Sequence, residues 1–206
     1  MKLIRVLAVD DHPLLQEGVA AVLAGEPDIE LVAQACSGAE AIQMFRQYRP
    51  DITLMDLRMP DMSGIDAISV IRAEFSDARF VVLTTYAGDV QAVQALKAGA
   101  TGYLLKNMLR KDLTDTIRVV HAGKRRIPPE VATEIAEHAA DGTLTEREVE
   151  VLRRVGAGQS NKQIAAQLCI TEGTVKAHMK SILPKLRAQD RTHAVMIAVK
   201  RGILDV

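Results

Sequence analysis

Ile52-Thr53-Leu54-Met55 is a short, largely apolar run closed by Asp56, and three other runs of the same kind end in polar residues. Val6-Leu7-Ala8-Val9 leads into Asp10-Asp11, Phe80-Val81-Val82-Leu83 into Thr84, and Gly102-Tyr103-Leu104-Leu105 into Lys106. Aliphatic runs of this length, separated by helix-like stretches, read as buried parallel strands of an α/β unit. Ligands of such sheets bind in the crevice at the carboxyl ends of the strands. Three carboxylates, a hydroxyl and an ammonium should therefore meet at one edge. That set suits a divalent cation and a phosphoryl group, with Asp56 as the acceptor.

Working outward, strands are expected near 3–9, 29–35, 51–55, 79–83 and 102–105. Helices are expected near 13–24, 37–48, 63–74, 88–98 and 109–122. Ser37 and Ser63 suit N-cap positions, and Gly25 and Gly99 suit helix stops. Five βα repeats over residues 1–122 predict a flavodoxin-like, doubly wound, five-stranded parallel sheet. Gly123-Lys124-Arg125-Arg126-Ile127-Pro128-Pro129 breaks the pattern and opens a linker, 123–142. A short helix is expected there from Pro129, because Val131, Ile135 and Ala139 share a face. Asp141-Gly142 punctuates again. No strand signal follows, and residues 143–206 read as four helices near 145–156, 161–168, 172–186 and 191–202.

The bulk composition excludes several classes. With 206 residues, 48% hydrophobic and 25% charged, the chain has the make-up of a globular protein of one large or two small domains. No apolar run approaches the roughly 20 residues of a membrane span, so no membrane partner is expected. The N-terminus lacks a cleavage-site pattern. Cys36 and Cys169 share no metal-ligand spacing, which fits two reduced thiols in a cytoplasm. The net charge of zero conceals an asymmetry. Residues 141–206 hold 11 Lys+Arg and 7 Asp+Glu, net +4, leaving 26−11=15 and 26−7=19 elsewhere, net −4. A basic tail on an acidic front points to nucleic acid for the tail.

Each site residue has a chemical reason. Mg²⁺ wants oxygen ligands, and a direct carboxylate, a water-mediated one, Asp56 and a backbone carbonyl would make a set. A solvated strand-end pair capping the next helix is the alternative for Asp10 and Asp11. A carboxylate attacking a phosphoryl group gives an acyl phosphate, helped mainly by charge neutralisation and positioning. Lys106 would offer a mobile positive charge to the phosphoryl oxygens and Thr84 a hydroxyl donor. Singly, each could be an ordinary strand-end residue; their joint placement favours the site.

Val-Asp-Asp-His-Pro (9–13), Met-Asp-Leu-Arg-Met-Pro (55–60) with Gly64, Leu-Thr (83–84) and Gly-Tyr-Leu-Leu-Lys (102–106) resemble a bacterial response-regulator receiver domain over residues 1–122. The resemblance implies phosphorylation of Asp56 by a sensor histidine kinase. It implies Mg²⁺ held by Asp11, Asp56 and the Arg58 backbone carbonyl, with Asp10 acting through water. Thr84 and Lys106 would grip the phosphoryl group, and Tyr103 resembles the switch aromatic. Arg58 and Tyr86 stand where the family tunes loss of the phosphoryl group. Thr85 and Asn107 replace a smaller residue and a proline that are common there.

In the C-terminal part Thr145 and Glu148 form a capping-box pattern that opens a helix with Val149, Leu152 and Val155 inward. Gly156-Ala157-Gly158 stops it, Ser160 caps the next helix, and Thr171 caps a third. Two short helices joined tightly, the second basic, make a helix-turn-helix. On the second, Val175, Met179, Ile182, Leu183 and Leu186 should face the core. Thr174, Lys176, Ala177, Lys180 and Ser181 should face solvent or DNA. Leu-Thr-Glu-Arg-Glu (144–148), Gly-Gln-Ser-Asn-Lys-Gln-Ile-Ala (158–165) and Thr-Glu-Gly-Thr-Val-Lys-Ala-His-Met (171–179) resemble the LuxR-type helix-turn-helix. The whole chain thus resembles the NarL/FixJ subfamily of two-component response regulators. The resemblance places Lys176, Ala177 and Lys180 in the major groove and Ser160, Asn161, Thr174 and Lys185 on the DNA backbone. It makes Ala194, Val195, Ala198 and Val199 the contact of a DNA-bound homodimer. Pro184 departs from the pattern and predicts a kink or early end near Leu183, while Arg187 replaces the usual terminal glycine.

The expected function is a phosphorylation-activated, sequence-specific transcription regulator acting on double-stranded DNA, not an enzyme. An Mg-dependent phosphohydrolase with an Asp nucleophile competes, but usually needs a second carboxylate two residues on, where Arg58 stands. A DNA binder indifferent to phosphorylation is the third reading.

Overall fold

The structure is a computed structural model describing residues 3–85, 89–138 and 143–204. Strands and helices alternate as β1 (Ile4–Val9), α1 (Pro13–Ala24), β2 (Ile29–Ala35), α2 (Gly38–Tyr48), β3 (Ile52–Asp56), α3 (Gly64–Glu74), β4 (Phe80–Thr84), α4 (Asp89–Ala98), β5 (Gly102–Leu105) and α5 (Leu109–His121). A single 3-10 turn, Lys106–Met108, joins β5 to α5. All strands are parallel, in the order β2-β1-β3-β4-β5. The winding reverses between β1 and β3, which leaves a crevice at their carboxyl ends. Every residue of β3, β4 and β5 is buried, as a sheet covered on both faces requires. Val6, Ala8, Leu54, Val81 and Leu83 pack on one face against Val19 and Leu23 of α1 and Leu113 and Ile117 of α5.

The caps expected of Ser37 and Ser63 are present, each accepting from the amide three residues on. Past α5, Gly123 turns the chain back at φ +79°. Arg126 then lies along the start of β5 in a parallel bridge with Gly102. Its amide donates to the Thr101 carbonyl at 3.1 Å and its carbonyl accepts from the Tyr103 amide at 2.8 Å. The linker is thus tied to the sheet before α6 (Pro129–His138) begins. Val131 on α6 is fully buried. The expected break at Asp141-Gly142, like Ala139, lies outside the described residues.

The chain divides into two compact units near residue 132. The second contains α7 (Glu146–Gly156), α8 (Asn161–Leu168), α9 (Glu172–Lys185) and α10 (Arg191–Lys200). Val151, Leu152, Ile164, Leu168, Val175, Ile182, Leu186, Ala194 and Ala198 form its core.

The early end expected at Leu183 does not occur: α9 runs through Pro184 to Lys185. Proline removes only the bond to the Lys180 carbonyl, and in the last turn the chain closes around that gap. Leu186 donates to Ile182 at 3.0 Å, Arg187 to Pro184 at 3.1 Å and Ala188 to Leu183 at 2.8 Å. The last two make the Schellman pattern, with Arg187 in the left-handed region at φ +51°. Arg187 thus does the glycine's work at a steric cost.

Candidate functional site

Asp10 follows β1, Asp56 ends β3 and Thr84 ends β4, and all three are buried. Lys106 follows β5 and reaches across the strand ends. Its ammonium lies 2.8 Å from Asp10 Oδ2 and 2.8 Å from Asp56 Oδ2. His12 Nδ1 stands 2.7 Å from Asp11 Oδ1 and 3.2 Å from Asp10 Oδ1. One ligand atom each of Asp10, Asp11, His12 and Asp56 falls within 4.8 Å of the others. Asp10, Asp11, Asp56 and Lys106 are therefore brought together, and Thr84 ends the strand that lies between Asp56 and Lys106.

The electrostatics follow from burial. Loss of water pushes the Asp56 carboxyl above its ordinary value; Lys106 pulls it back and the Asp10 carboxylate adds to the push. Burial works against the Lys106 ammonium, but hydrogen bonds to Asp10 and Asp56 outweigh it and raise its pKa. Two carboxylates at close range already hold one positive charge, the ammonium. The carboxylates of Asp10, Asp11 and Asp56 are the kind of oxygen donors a hard divalent cation takes. Tyr103 is fully buried. Burial pushes its phenol well up, with the Thr84 side chain beside it pulling partly back.

The β3–α3 loop is pinned to this site. A Cβ on Gly64 would lie 2.0 Å from the Asp56 carbonyl oxygen and 3.0 Å from Leu57 Cα, so only glycine allows the helix to start there. The Arg58 amide points to Asp56 Oδ1 at 3.4 Å. Tyr86 lies outside the described residues. Sequence reasoning missed two supports. Gln16 donates to the carbonyls of Asp10 at 2.6 Å and Ala35 at 2.8 Å, joining β1 to β2. Asp61 accepts from the Gly38 and Ala39 amides at 3.0 and 2.9 Å, fastening the loop to the N-terminus of α2. Those two amides hold its carboxyl below the usual range. An acidic residue before a helix-capping serine was the available signal for Asp61, but its partners lie over 20 residues away.

In the second unit, capping boxes at Thr145–Glu148 and Ser160–Gln163 start α7 and α8, and Thr171 caps α9. Cys169, at φ +53°, turns the chain between α8 and α9, giving the helix-turn-helix. Lys176, Ala177 and Lys180 are exposed together on α9, and Thr174 and Asn161 are half-buried. Ser160 is exposed, its hydroxyl accepting the Gln163 amide. Ser181, expected outside, turns inward to Glu148 Oε1 at 2.7 Å. Lys185, expected on the DNA backbone, is engaged by the same carboxylate at 2.9 and 2.7 Å. Of the expected dimer contacts, Ala194 and Ala198 are fully buried in their own unit's core and have no surface for a second copy. Residues 194 and 198, four apart, share the inner face of α10, Val195 and Val199 are half-buried, and the outward apolar residue is Met196.

A family model of the response regulator receiver domain matches residues 6–118, and one of the luxR family of bacterial regulatory proteins matches residues 142–198. The chain belongs to the luxR-type response regulators. This regulator is 37% identical over 206 residues to the response regulator protein VraR of Staphylococcus aureus, covering 98% of this chain and 99% of that one. It is 35% identical over 217 residues to the transcriptional regulatory protein LnrK of Bacillus subtilis, again covering 98% and 99%. Among solved structures, the response regulator ChrA of a heme-sensing two-component system aligns at 33% identity with a TM-score of 0.60, covering 99% of this chain and 100% of that chain. RcsB of Salmonella typhimurium shares the fold at 23% identity, with a TM-score of 0.71 over 95% of this chain and 99% of that one. The regulator joins a receiver to a LuxR-type DNA-binding domain in a family of phosphorylation-controlled transcription regulators. Among the described residues no helix is long and apolar enough to cross a membrane.

Proposed function

We propose that Asp56 accepts a phosphoryl group from a sensor histidine kinase and that this modification controls DNA binding by α8 and α9 of a cytoplasmic homodimer. The observation that carries the reading is the Lys106 ammonium bridging Asp10 and Asp56 at the crevice where the winding of the sheet reverses. Residues 1–122 act as the receiver, 123–142 as the linker and 143–206 as the DNA-reading domain.

Asp11, Asp56 and the Arg58 carbonyl would hold Mg²⁺, with Asp10 reaching it through water. The ion's chemistry there is neutralisation of phosphoryl oxygen charge. Attack by an Asp56 oxygen on phosphorus forms an O–P bond as the P–N bond to the kinase histidine breaks, the electron pair staying on the imidazole nitrogen. Lys106 moves from carboxylate to phosphoryl oxygen, and Thr84 donates its hydroxyl. Loss of the Lys106 contact to Asp56 and movement of Thr84 reach Tyr103, which lies beside Thr84, and so bias a two-state receiver.

On DNA, Lys176, Ala177 and Lys180 face base edges, where lysine reads guanine acceptors and alanine meets a thymine methyl. Ser160, Asn161 and Thr174 contact phosphates. Residues Val195 and Val199 flank the exposed Met196 and form the α10 contact between copies. Arg58, two residues beyond Asp56, supplies no acid or base for turnover, so the acyl phosphate is a signal rather than an intermediate. The test is incubation with acetyl phosphate and Mg²⁺, read by intact mass and by capture of genomic fragments. Wild type should gain one phosphoryl group and change its bound fragments, and Asp56→Ala should do neither. Steady release of phosphate from a monoester, or identical fragments from both proteins, would refute the proposal.

A further inference from the structure

Glu148 is a buried carboxylate, 4% exposed, that takes no part in the phosphoryl chemistry or in the proposed base contacts. Its Oε2 accepts the Thr145 amide at 2.7 Å, closing the capping box of α7. Its Oε1 accepts the Ser181 hydroxyl at 2.7 Å, and Lys185 Nζ reaches both oxygens at 2.9 and 2.7 Å. Burial pushes the carboxyl up, but Lys185, Thr145 and Ser181 more than offset it and hold it at about 2. A capping box asks of this carboxylate only the bond from the Thr145 amide. The other donors come from α9, 33 and 37 residues away.

Ser181 and Lys185 are one turn apart on a single face of α9. Rotating α9 by one residue turns that face by about 100°, and sliding it by one turn moves it about 5.4 Å. Either motion breaks the bonds to Glu148, so the clamp fixes both the rotation and the axial position of α9. The same two coordinates decide which side chains meet the major groove.

We propose that Glu148 is the positioning residue of the recognition helix, and that Lys185 is its internal partner rather than a phosphate contact. Glu148 acts on DNA only through α9: the clamp points Lys176, Ala177 and Lys180 outward together and keeps Lys185 on the protein. This rests on the DNA-reading proposal above.

The experiment uses the full chain in two parts. Free protein labelled with ¹⁵N at lysine Nζ is observed at neutral pH, where an ammonium held by a buried carboxylate gives a persistent signal and a solvated one is lost to exchange. The Lys185 signal should be present without DNA and stay in place when a random-sequence duplex is added. Its absence from the free protein, or its displacement by the duplex, overturns the inference.

The second part compares affinity for a random-sequence duplex with affinity for the duplex that wild type selects from a random pool. Variants are measured below their melting temperatures. Lys176→Gln and Lys180→Gln should each lower the salt slope by about 0.9, and Lys185→Gln should leave it unchanged. Glu148→Gln and Lys185→Gln should cut the selected-to-random ratio at least tenfold while random-duplex binding persists. A slope lowered by Lys185→Gln, an unchanged ratio, or a parallel fall in both affinities overturns the inference. Failure of wild type to bind any duplex would instead defeat the DNA-reading proposal, and the free-protein signal would still decide the state of Lys185.

Discussion

Replacing Lys106 by methionine keeps most of the unbranched side chain, one atom shorter, and removes its charge. Asp10 and Asp56 are then two buried carboxylates facing each other without the ammonium that lay 2.8 Å from both. Removing one partner of a buried ion pair costs about 3–5 kcal/mol, because an uncompensated charge stays behind. For a unit of this size that corresponds to about 10–20 °C in melting temperature. The loss should depend on pH with a definite sign. Asp56 already has a raised pKa, and the variant raises it further. The penalty falls on the charged form, so it is full above the folded-state value and fades as pH falls toward the ordinary 3.8. Divalent cation should also restore the variant more than it stabilises wild type, since no ammonium competes. At 100 times the dissociation constant the linkage gain is about 2.7 kcal/mol. The assay is convenient, because the chain has no tryptophan and its three tyrosines, at 48, 86 and 103, all fall in the sequence ranges of the first unit, 1–87 and 92–132. Thermal unfolding followed by tyrosine fluorescence, with and without Mg²⁺, therefore reports the first unit alone. A variant as stable as wild type in chelator, or one whose stability ignores Mg²⁺, would refute the reasoning.

Three other outcomes are expected. Gly64→Ala forces a Cβ to within 2.0 Å of the Asp56 carbonyl oxygen; it should cost about 1–3 kcal/mol by overpacking and slow phosphorylation of Asp56, both measurable by fluorescence melting and intact mass. Glu148, lowered from 4.5 to about 2, contributes about 3 kcal/mol at roughly 1.4 kcal/mol per pH unit. That stability is present above the ordinary value of 4.5 and disappears as pH falls through about 2, so the methyl NMR signals of Val151 and Ile164 should show acid loosening that Glu148→Gln lacks. Arg187→Gly removes a left-handed non-glycine residue at φ +51° and should stabilise the second unit by about 1 kcal/mol, seen as an upward shift of its calorimetric transition.

The strand-end pattern was readable because each run is continuous and local, and a parallel sheet brings all its carboxyl ends to one side. That is why the sequence alone puts Asp10, Asp56 and Lys106 at one edge. Glu148 was readable only as a helix cap, since its bonds to Ser181 and Lys185 depend on how two helices pack. Ala194 and Ala198 were misplaced for a related reason: α10 is apolar nearly all round, so period alone does not say which face is inner. Pro184 does not end α9 at Leu183, because the cost of a proline refers to a helix interior and only Lys185 follows it in the helix. The pairing of Arg126 with β5 had no signal at all, because a single bridge made by a basic linker has neither alternation nor apolar content.

That bridge has a practical consequence. β5 is an outer strand of the sheet, and a bare outer strand invites pairing with another chain. Arg126 occupies the start of that edge through the amide of Tyr103 and the carbonyl of Thr101. A fragment cut at Ala122, where the helical pattern ends, would strip this cover and leave both groups seeking partners. A fragment extended through α6, with the buried Val131 retained, should stay monodisperse where the shorter one self-associates.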